Sequence, residues 1–479
     1  MWASLYFPDL PLEIFSRGSD TDKDQALVIT TGSGPQQILV AGNALARAQG
    51  LLPGMTLSAA YALLPSLWVQ QRNNAAEQQA LEQLAVWAGQ FTSLVNLALP
   101  DALLLEIGGS LHLFGGMAAL NRKIAAEVQE LGYHSILAVA PTPLGALWLS
   151  RNRRSVVIDN QQDLRTALCA LPLRSLDMPE KTHTALEAIG MRNIDDCLRL
   201  PRAGLARRFG QTLLNDLDKA LGKLPDPRRP FVAPAQFKSH LLLPVDVHNS
   251  EALLFAARRL LLELHAFLLA RDAGIQTMHL TLHHRQPPES DMTIGLVKPA
   301  RDMAHLQSLL KTRLEQEQLR EPVQELTLSA PHIMAMATKT RPLFHDGNEE
   351  QESWPVLLEK LRARLGDDAV HGIWTAAEHR PEYAWRYCAP GESGPALSTP
   401  SRPLWLLPDP MPLKQVRQRP WFAGELILQQ GPERIESGWW DGREVQRDYF
   451  IAKNPQGEHL WVFRNHHEPG KWFLHGIFG

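Results

Sequence analysis

Only three cysteines, Cys169, Cys197 and Cys388, occur in 479 residues, and none belongs to a Cys-x-x-Cys pair. A disulfide framework and a zinc ribbon are therefore not expected, and the usage fits a reducing, cytoplasmic compartment. No uncharged apolar run reaches the roughly 18 residues that a membrane-spanning helix needs. The opening, MWASLYFPDLPLEIF, lacks the basic start of a secretion signal. No Walker A loop, Gly-x-Gly-x-x-Gly turn, His-Glu-x-x-His helix or Ser-His-Asp arrangement supports another enzyme class. Net charge is small as well, at −3. That excludes a histone-like basic protein but not a locally basic DNA-binding face.

What is present is unevenly distributed. Residues 1–150 hold 6 Lys and Arg against 11 Asp and Glu, whereas residues 201–285 hold 12 against 7. A polyanion is repelled by the first region and attracted by the second. Nine of the 13 tryptophans follow residue 350, so the C-terminal part is built on a different plan.

The pattern of strands followed by helices predicts an α+β protein. Strands are expected at 2–7, 26–30, 37–40, 94–99, 102–107 and 135–140, with helices at 43–49, 57–63, 75–91, 117–130 and 144–151. Consecutive short helices fill 165–222, with Asn193 as an N-cap and Gly190 and Gly210 as stops. The Pro-rich stretch KLPDPRRPFVAP (223–234) reads as a linker. Residues 235–337 follow a βαββαβ order. Ser353, Pro355 and Gly366 punctuate a helix with a Trp354, Leu357, Leu358, Leu361, Leu365 stripe. Residues 386–420 read as a Pro-rich tether, and 421–479 as an aromatic-rich β module.

Four segments in order resemble a Y-family, or lesion-bypass, DNA polymerase. NALARAQGLLPGMTLSAAYALLP (43–65) is similar to its fingers motif. LLLEIGGSLHLFGG (103–116) is similar to the end of its second palm motif, and LAVAPTPLGALWLSR (137–151) to its third. LPLRSLDMPEKTHTALEAIGMRNIDDCLRLPRAGLARRFG (171–210) resembles its helix-hairpin-helix thumb. The implied organisation is palm and fingers over 1–164, thumb over 165–222, linker over 223–234 and little finger over 235–337. Residues 338–420 then carry a clamp-binding segment, a helix and the tether, and 421–479 the β module. The HLFGG run, EHRPEYAWR (378–386) and the tail GPERIESGWWDG…WFLHGIFG (431–479) resemble a catalytically degenerate branch found in bacterial mutagenesis cassettes.

Nucleotidyl transfer uses two metal ions about 4 Å apart, and Mg²⁺ demands oxygen ligands in octahedral geometry. An active family member supplies Asp-x-Asp on the first strand and Asp-Glu before the second palm strand. Here the first strand holds Ser4 and Tyr6, and the second motif holds Asp101 followed by Ala102. Asp9, between Pro8 and Pro11, reads as a solvated strand-exit residue rather than a displaced ligand. Asp101 reads as a turn residue between strands, or as a ligand for one metal. Among the triphosphate contacts, the family Tyr aligns with Ala44, the family Arg with Arg47 and the family Lys with Leu147. No metal site and no cofactor is expected, and the chain is read as a non-enzyme. The rival reading is an active translesion polymerase using unconventional carboxylates.

DNA binding needs only cations and backbone donors. Candidates are Lys181, Arg202, Arg207 and Arg208 in the thumb and Lys238, Arg285 and Arg301 in the little finger, acting on primer-template or single-stranded DNA. Just past the little finger, TKTRPLFHDG (338–347) offers Leu343 and Phe344 as anchors for a β sliding clamp. Leu404–Trp405 is a second candidate. The resemblance further implies recruitment of an error-prone C-family DNA polymerase and a RecA-like accessory protein in the SOS response, at the nucleoid. Trp439, Trp440, Trp461 and Trp472 are the candidate contact aromatics of the tail, of which at least half are expected to be core in so small a module.

Overall fold

The computed structural model describes residues 1–18, 25–317, 319, 321–336, 354–392 and 401–478. The chain divides into two compact units, Met1–Arg364 and Leu365–Gly479.

The first unit is built on a four-stranded antiparallel sheet in the order Val95–Ala98, Ala102–Glu106, Trp2–Tyr6, Ile136–Ala140. Helices cover both faces, so the two central strands are predominantly apolar, as two-sided burial demands, with Ser4 the polar side chain buried within them. Ala3, Leu5, Leu103 and Leu105 face helices Asn74–Ala88 and Met117–Glu130. Ala102 and Leu104 face helix Pro143–Arg151. A three-stranded fingers sheet joins Ile38–Gly42, Leu27–Thr31 and Trp68–Gln71, the last running parallel to its neighbour.

Five short helices follow: Gln161–Cys169, Glu180–Ala188, Ile194–Arg199, Arg202–Phe209 and Gln211–Ala220. Asn193 caps Ile194–Arg199 in a reciprocal box with Asp196, whose carboxylate also holds the Arg192 amide. That backbone bonding lowers the Asp196 pKa. The βαββαβ region forms a sheet in the order Ser290–Ala300, Ala273–His284, Val323–Ala330, Phe237–Val247, under helices Ser250–Leu269 and Met303–Leu314.

This sheet-and-helix layer is welded to the palm. Leu262 and Ala266 of Ser250–Leu269 join the palm core. Arg17, at the end of the first palm helix, donates to Glu263 at 2.9 Å and to the His240 carbonyl at 3.3 Å. Ser239 bonds the other Glu263 oxygen. Arg17 and Glu263 keep 4% and 5% of their side-chain exposure, and Arg17 also lies 4.9 Å from the Tyr133 ring centre. Helix Trp354–Leu365 is pinned in turn by Glu359, which accepts from the Val297 amide and pairs with His305, each at 2.6 Å.

The second unit holds a five-stranded antiparallel sheet in the order Trp405–Pro412, Trp472–Ile477, His459–Asn465, Val445–Lys453, Ile427–Ser437. Two hairpins accompany it, Gly372–Thr375 with Trp385–Cys388 and Lys414–Val416 with Arg419–Trp421. Arg380 is buried and gathers Glu378, Asp441 and the Arg443 carbonyl, tying the 378–383 segment to the 438–443 turn. Asp448, 1% exposed, accepts from Arg434 and Arg464 and pairs with His466, and these partners hold its pKa far below the usual carboxylate range.

Two expectations need correction. Residues 401–420 are not a tether: Trp405–Pro412 is the sheet's edge strand, paired with Trp472–Ile477. An edge strand has one free row of amide positions, which is where Pro408, Pro410 and Pro412 fit. Asp9 is not a trailing strand-exit residue but the N-cap position of helix Leu10–Ser16. Pro11 lies in that helix's first turn, where its missing N–H costs nothing. Of the four tail tryptophans, Trp461 and Trp472 are core side chains at 2% and 8% exposure, the half expected to be core, leaving Trp439 and Trp440 on the surface.

Removing one partner of the Arg17–Glu263 pair strands a buried charge, a loss of about 3–5 kcal/mol. Glu263→Ala is expected to lower the stability of the first unit by that order in urea melts. Arg17→Met combined with Glu263→Leu is expected to cost far less.

Candidate functional site

The strand register decides what meets at the palm. Ser4 lies between Leu104 and Ala138, and Tyr6 between Ala102 and Ile136. Ser4 is fully buried, with its Oγ 2.8 Å from Ser150 Oγ. Ser150 donates to the Leu147 carbonyl at 3.0 Å, so Ser4 is the donor between the two hydroxyls. Ala98, Ala102, Leu104 and Leu147 close into an apolar cluster, with Tyr6 and Leu144 packed against it. Burial, and then the charge of Asp101, push the Tyr6 phenol pKa up.

Asp101 follows Leu99–Pro100 in the turn between two palm strands. Its Oδ1 accepts from Arg151 Nε at 3.0 Å and Nη2 at 2.7 Å. Arg151 Nη2 also reaches the Leu99 carbonyl at 3.1 Å, so the pair fastens the turn to helix Pro143–Arg151.

The fingers side is closed by a second ion pair. Ala44 opens helix Ala44–Ala48, and Arg47 on that helix reaches Asp9 at 3.4 Å. His134 Nδ1 lies 3.3 Å from the other Asp9 oxygen. Glu13 accepts from the His134 amide at 2.7 Å, and burial pushes its pKa up to about 8. Glu13 borders a cleft of about 700 Å³ shared by Leu12, Ser16, Ala44, Leu45 and His134.

This donor set does not fit a pair of Mg²⁺ ions. Ser4 and Ser150 satisfy each other, Ala102 and Leu147 offer no oxygen ligand, and Asp101 is engaged by Arg151. Among the described residues, no three His, Cys, Asp or Glu side chains converge on a metal position. The structure thus brings together Ser4, Tyr6, Asp101, Ala102 and Leu147 on one side of the palm, while Ala44 and Arg47 lie on the fingers helix, where Arg47 meets Asp9. Sequence reasoning misses Arg151, Ser150, Glu13 and His134. Ser150 carries a signal, a small hydroxyl on the buried side of LGALWLS. Arg151 carries none, because its partner lies 50 residues away.

A second cleft, of about 560 Å³, separates the palm from the thumb helices. Its lining includes Leu97, Leu99, Leu147, Trp148 and Phe209 beside Arg151, Lys219 and Arg228. Lys181, Arg207, Arg208 and Lys238 are exposed. Arg202 is held by Asp218, Arg285 by Asp246 at 3.5 Å and Arg301 by Asp272 at 2.7 Å. Leu343 and Phe344 lie outside the described residues. Leu404 is 90% exposed at the start of the edge strand, with Trp405 already paired within it.

Residues 18–151 match the model of the impB/mucB/samB family. Over 466 residues the chain is 28% identical to the proteins named ImuB of two Caulobacter vibrioides strains, covering 90% of this chain and all of theirs. The chain is thus similar to ImuB over most of its length and to the impB/mucB/samB model over residues 18–151. Among solved structures, the insertion ternary complex of Dbh DNA polymerase aligns at TM-score 0.41 and 14% identity, over 70% of this chain and 99% of that one. DinB from Sulfolobus solfataricus aligns at 0.40 and 16%, with the same coverage. Among the described residues, no helix is long and apolar enough to cross a membrane.

Glu13 makes the stability of this region pH-dependent. Its native pKa of about 8 stands above the ordinary 4.5. Stability is therefore fullest below 4.5 and falls as pH rises toward 8, because the unfolded chain ionises first. Glu13→Gln keeps an acceptor for the His134 amide. It is expected to stabilise the protein by about 2 kcal/mol or more at alkaline pH and to change little at pH 4, read by denaturant melts at both values.

Proposed function

We propose that this chain is a non-catalytic, polymerase-shaped adaptor for damage-induced mutagenesis and translesion synthesis, acting in the cytoplasm at the nucleoid. It binds primer-template or single-stranded DNA, docks on the β sliding clamp and gathers an error-prone C-family polymerase and a RecA-like accessory protein. The observation that carries the non-catalytic reading is the buried Ser4–Ser150 pair beside Ala102 and Leu147. That arrangement supplies packing and hydrogen bonds where metal chemistry needs converging oxygens. Exposed Lys181, Arg207, Arg208 and Lys238 support DNA backbone binding, which needs cations and no catalytic geometry. Leu343 and Phe344 supply the apolar anchors of the clamp contact, and Trp439 and Trp440 are the surface aromatics of the partner contacts.

Primer extension with Mg²⁺ or Mn²⁺ separates this reading from an active polymerase. The purified chain is expected to add no nucleotide. In a reconstitution with clamp and C-family polymerase, lesion bypass is expected to require the chain and to survive Asp101→Ala. Extension by the chain alone that Asp101→Ala abolishes overturns the reading. Replacing both Leu343 and Phe344 by Ala is expected to eliminate clamp pull-down while leaving thermal unfolding unchanged.

A further inference from the structure

Hairpin Lys414–Val416 with Arg419–Trp421 has two unlike faces. Register pairs Lys414 with Trp421, Gln415 with Pro420 and Val416 with Arg419. Strand alternation therefore puts Lys414, Val416, Arg419 and Trp421 on one side and Gln415 and Pro420 on the other. The second side is the anchored one: Pro420 is buried, and the Gln415 side chain donates to the Gly470 carbonyl. The first side is exposed at all four positions, Trp421 to 41%.

Charge on this side is one-sided. Lys414 and Arg417 have no ion-pair partner among the described residues, and Arg419 meets Glu425 in a pair exposed on both sides. Such a pair is weak and screened by salt. The turn is unusual too. Arg417 and Gln418 occupy φ of +52° and +66°, the two left-handed positions that a tight hairpin turn normally gives to Asn-Gly. A bulky Arg kept there costs backbone strain, and it projects a cation from the hairpin's tip.

We propose that this hairpin is a second nucleic-acid site, whose ligand is single-stranded DNA. Lys414, Arg417 and Arg419 meet successive phosphates, and the Trp421 indole, beside Lys414, stacks on a base. Cations beside an exposed aromatic form the combination that binds single strands without reading sequence. A flat ribbon with one anchored side holds those groups in place before the strand arrives. The site is separate from the thumb and little-finger contacts proposed above, and each can fail without the other.

The test measures binding of the full chain to a fluorescein-labelled oligo(dT) of about 30 nucleotides across a salt titration. Removing one cation that neutralises a phosphate flattens the log–log salt slope by about 0.7 for single strands. Lys414→Glu with Arg417→Glu is expected to flatten it by about 1.4, and Trp421→Ala to weaken binding about tenfold. Lys414→Gln with Arg417→Gln, which avoids reversing charge, is expected to give the same flattening and decides the matter if the Glu variant misfolds. Arg207→Glu with Arg208→Glu reports separately on the thumb. Hairpin variants that keep the parent's slope and affinity overturn the proposal. So does competition for the hairpin by a polyglutamate peptide with DNA binding unmoved, which assigns the face to an acidic protein instead.

Discussion

A strand buried on both faces can hold an ionised side chain only if an opposite charge or a metal meets it there. The strand Trp2–Tyr6 is such a strand: central in its sheet, with helices above and below. Ser4 meets that constraint with a neutral hydroxyl satisfied by Ser150. The neighbouring positions follow the same logic, Ala102 and Leu147 closing the space with methyl groups. Asp101 lies in the turn, where Arg151 reaches it. Ser4, Ser150 and Asp101 thus find their partners within the chain, and the Asp101–Arg151 pair fastens a turn to a helix.

The same economy of neutral or paired groups extends outward through the first unit. Arg17 leaves the palm helix and ends against Glu263, so an ion pair and a shared core hold the palm and the βαββαβ layer together. Such a pair adds little net stability compared with an apolar contact of the same shape. It does fix orientation, since a guanidinium held by Glu263 and the His240 carbonyl tolerates few alternative positions. Glu359 does similar work for helix Trp354–Leu365, with a backbone amide and His305 as its two partners.

Local rules made much of this legible from sequence. Helix Met117–Glu130 begins and ends where its apolar spacing places it, and Asn193 caps as its side chain and Asp196 imply. The βαββαβ order followed from the alternation of periodicities. What escaped was non-local or depended on context. Helix Leu10–Ser16 hid behind two prolines that mark a strand's end and equally suit a helix's first turn. Strand Trp68–Gln71 is four residues long and gains its identity from a parallel neighbour. The 401–420 stretch read as a tether because proline composition does not reveal an edge position. Among the site residues, Ser4, Tyr6 and Ala102 could be placed by register along one strand pair. The Asp101–Arg151 and Arg47–Asp9 pairs join residues about 40 to 50 positions apart, which no local pattern encodes.

The prolines of the second unit have a consequence for assembly. Pro408, Pro410 and Pro412 lie on one outer strand of its sheet, and Pro432 on the other. Each removes an amide donor from a border where a foreign peptide would add itself as a further strand. β-Augmentation is thereby disfavoured at these positions, most along Trp405–Pro412 with its three prolines, which favours association through side-chain surfaces, turns or hairpins. Such a module can display many aromatic and cationic groups without templating its own aggregation.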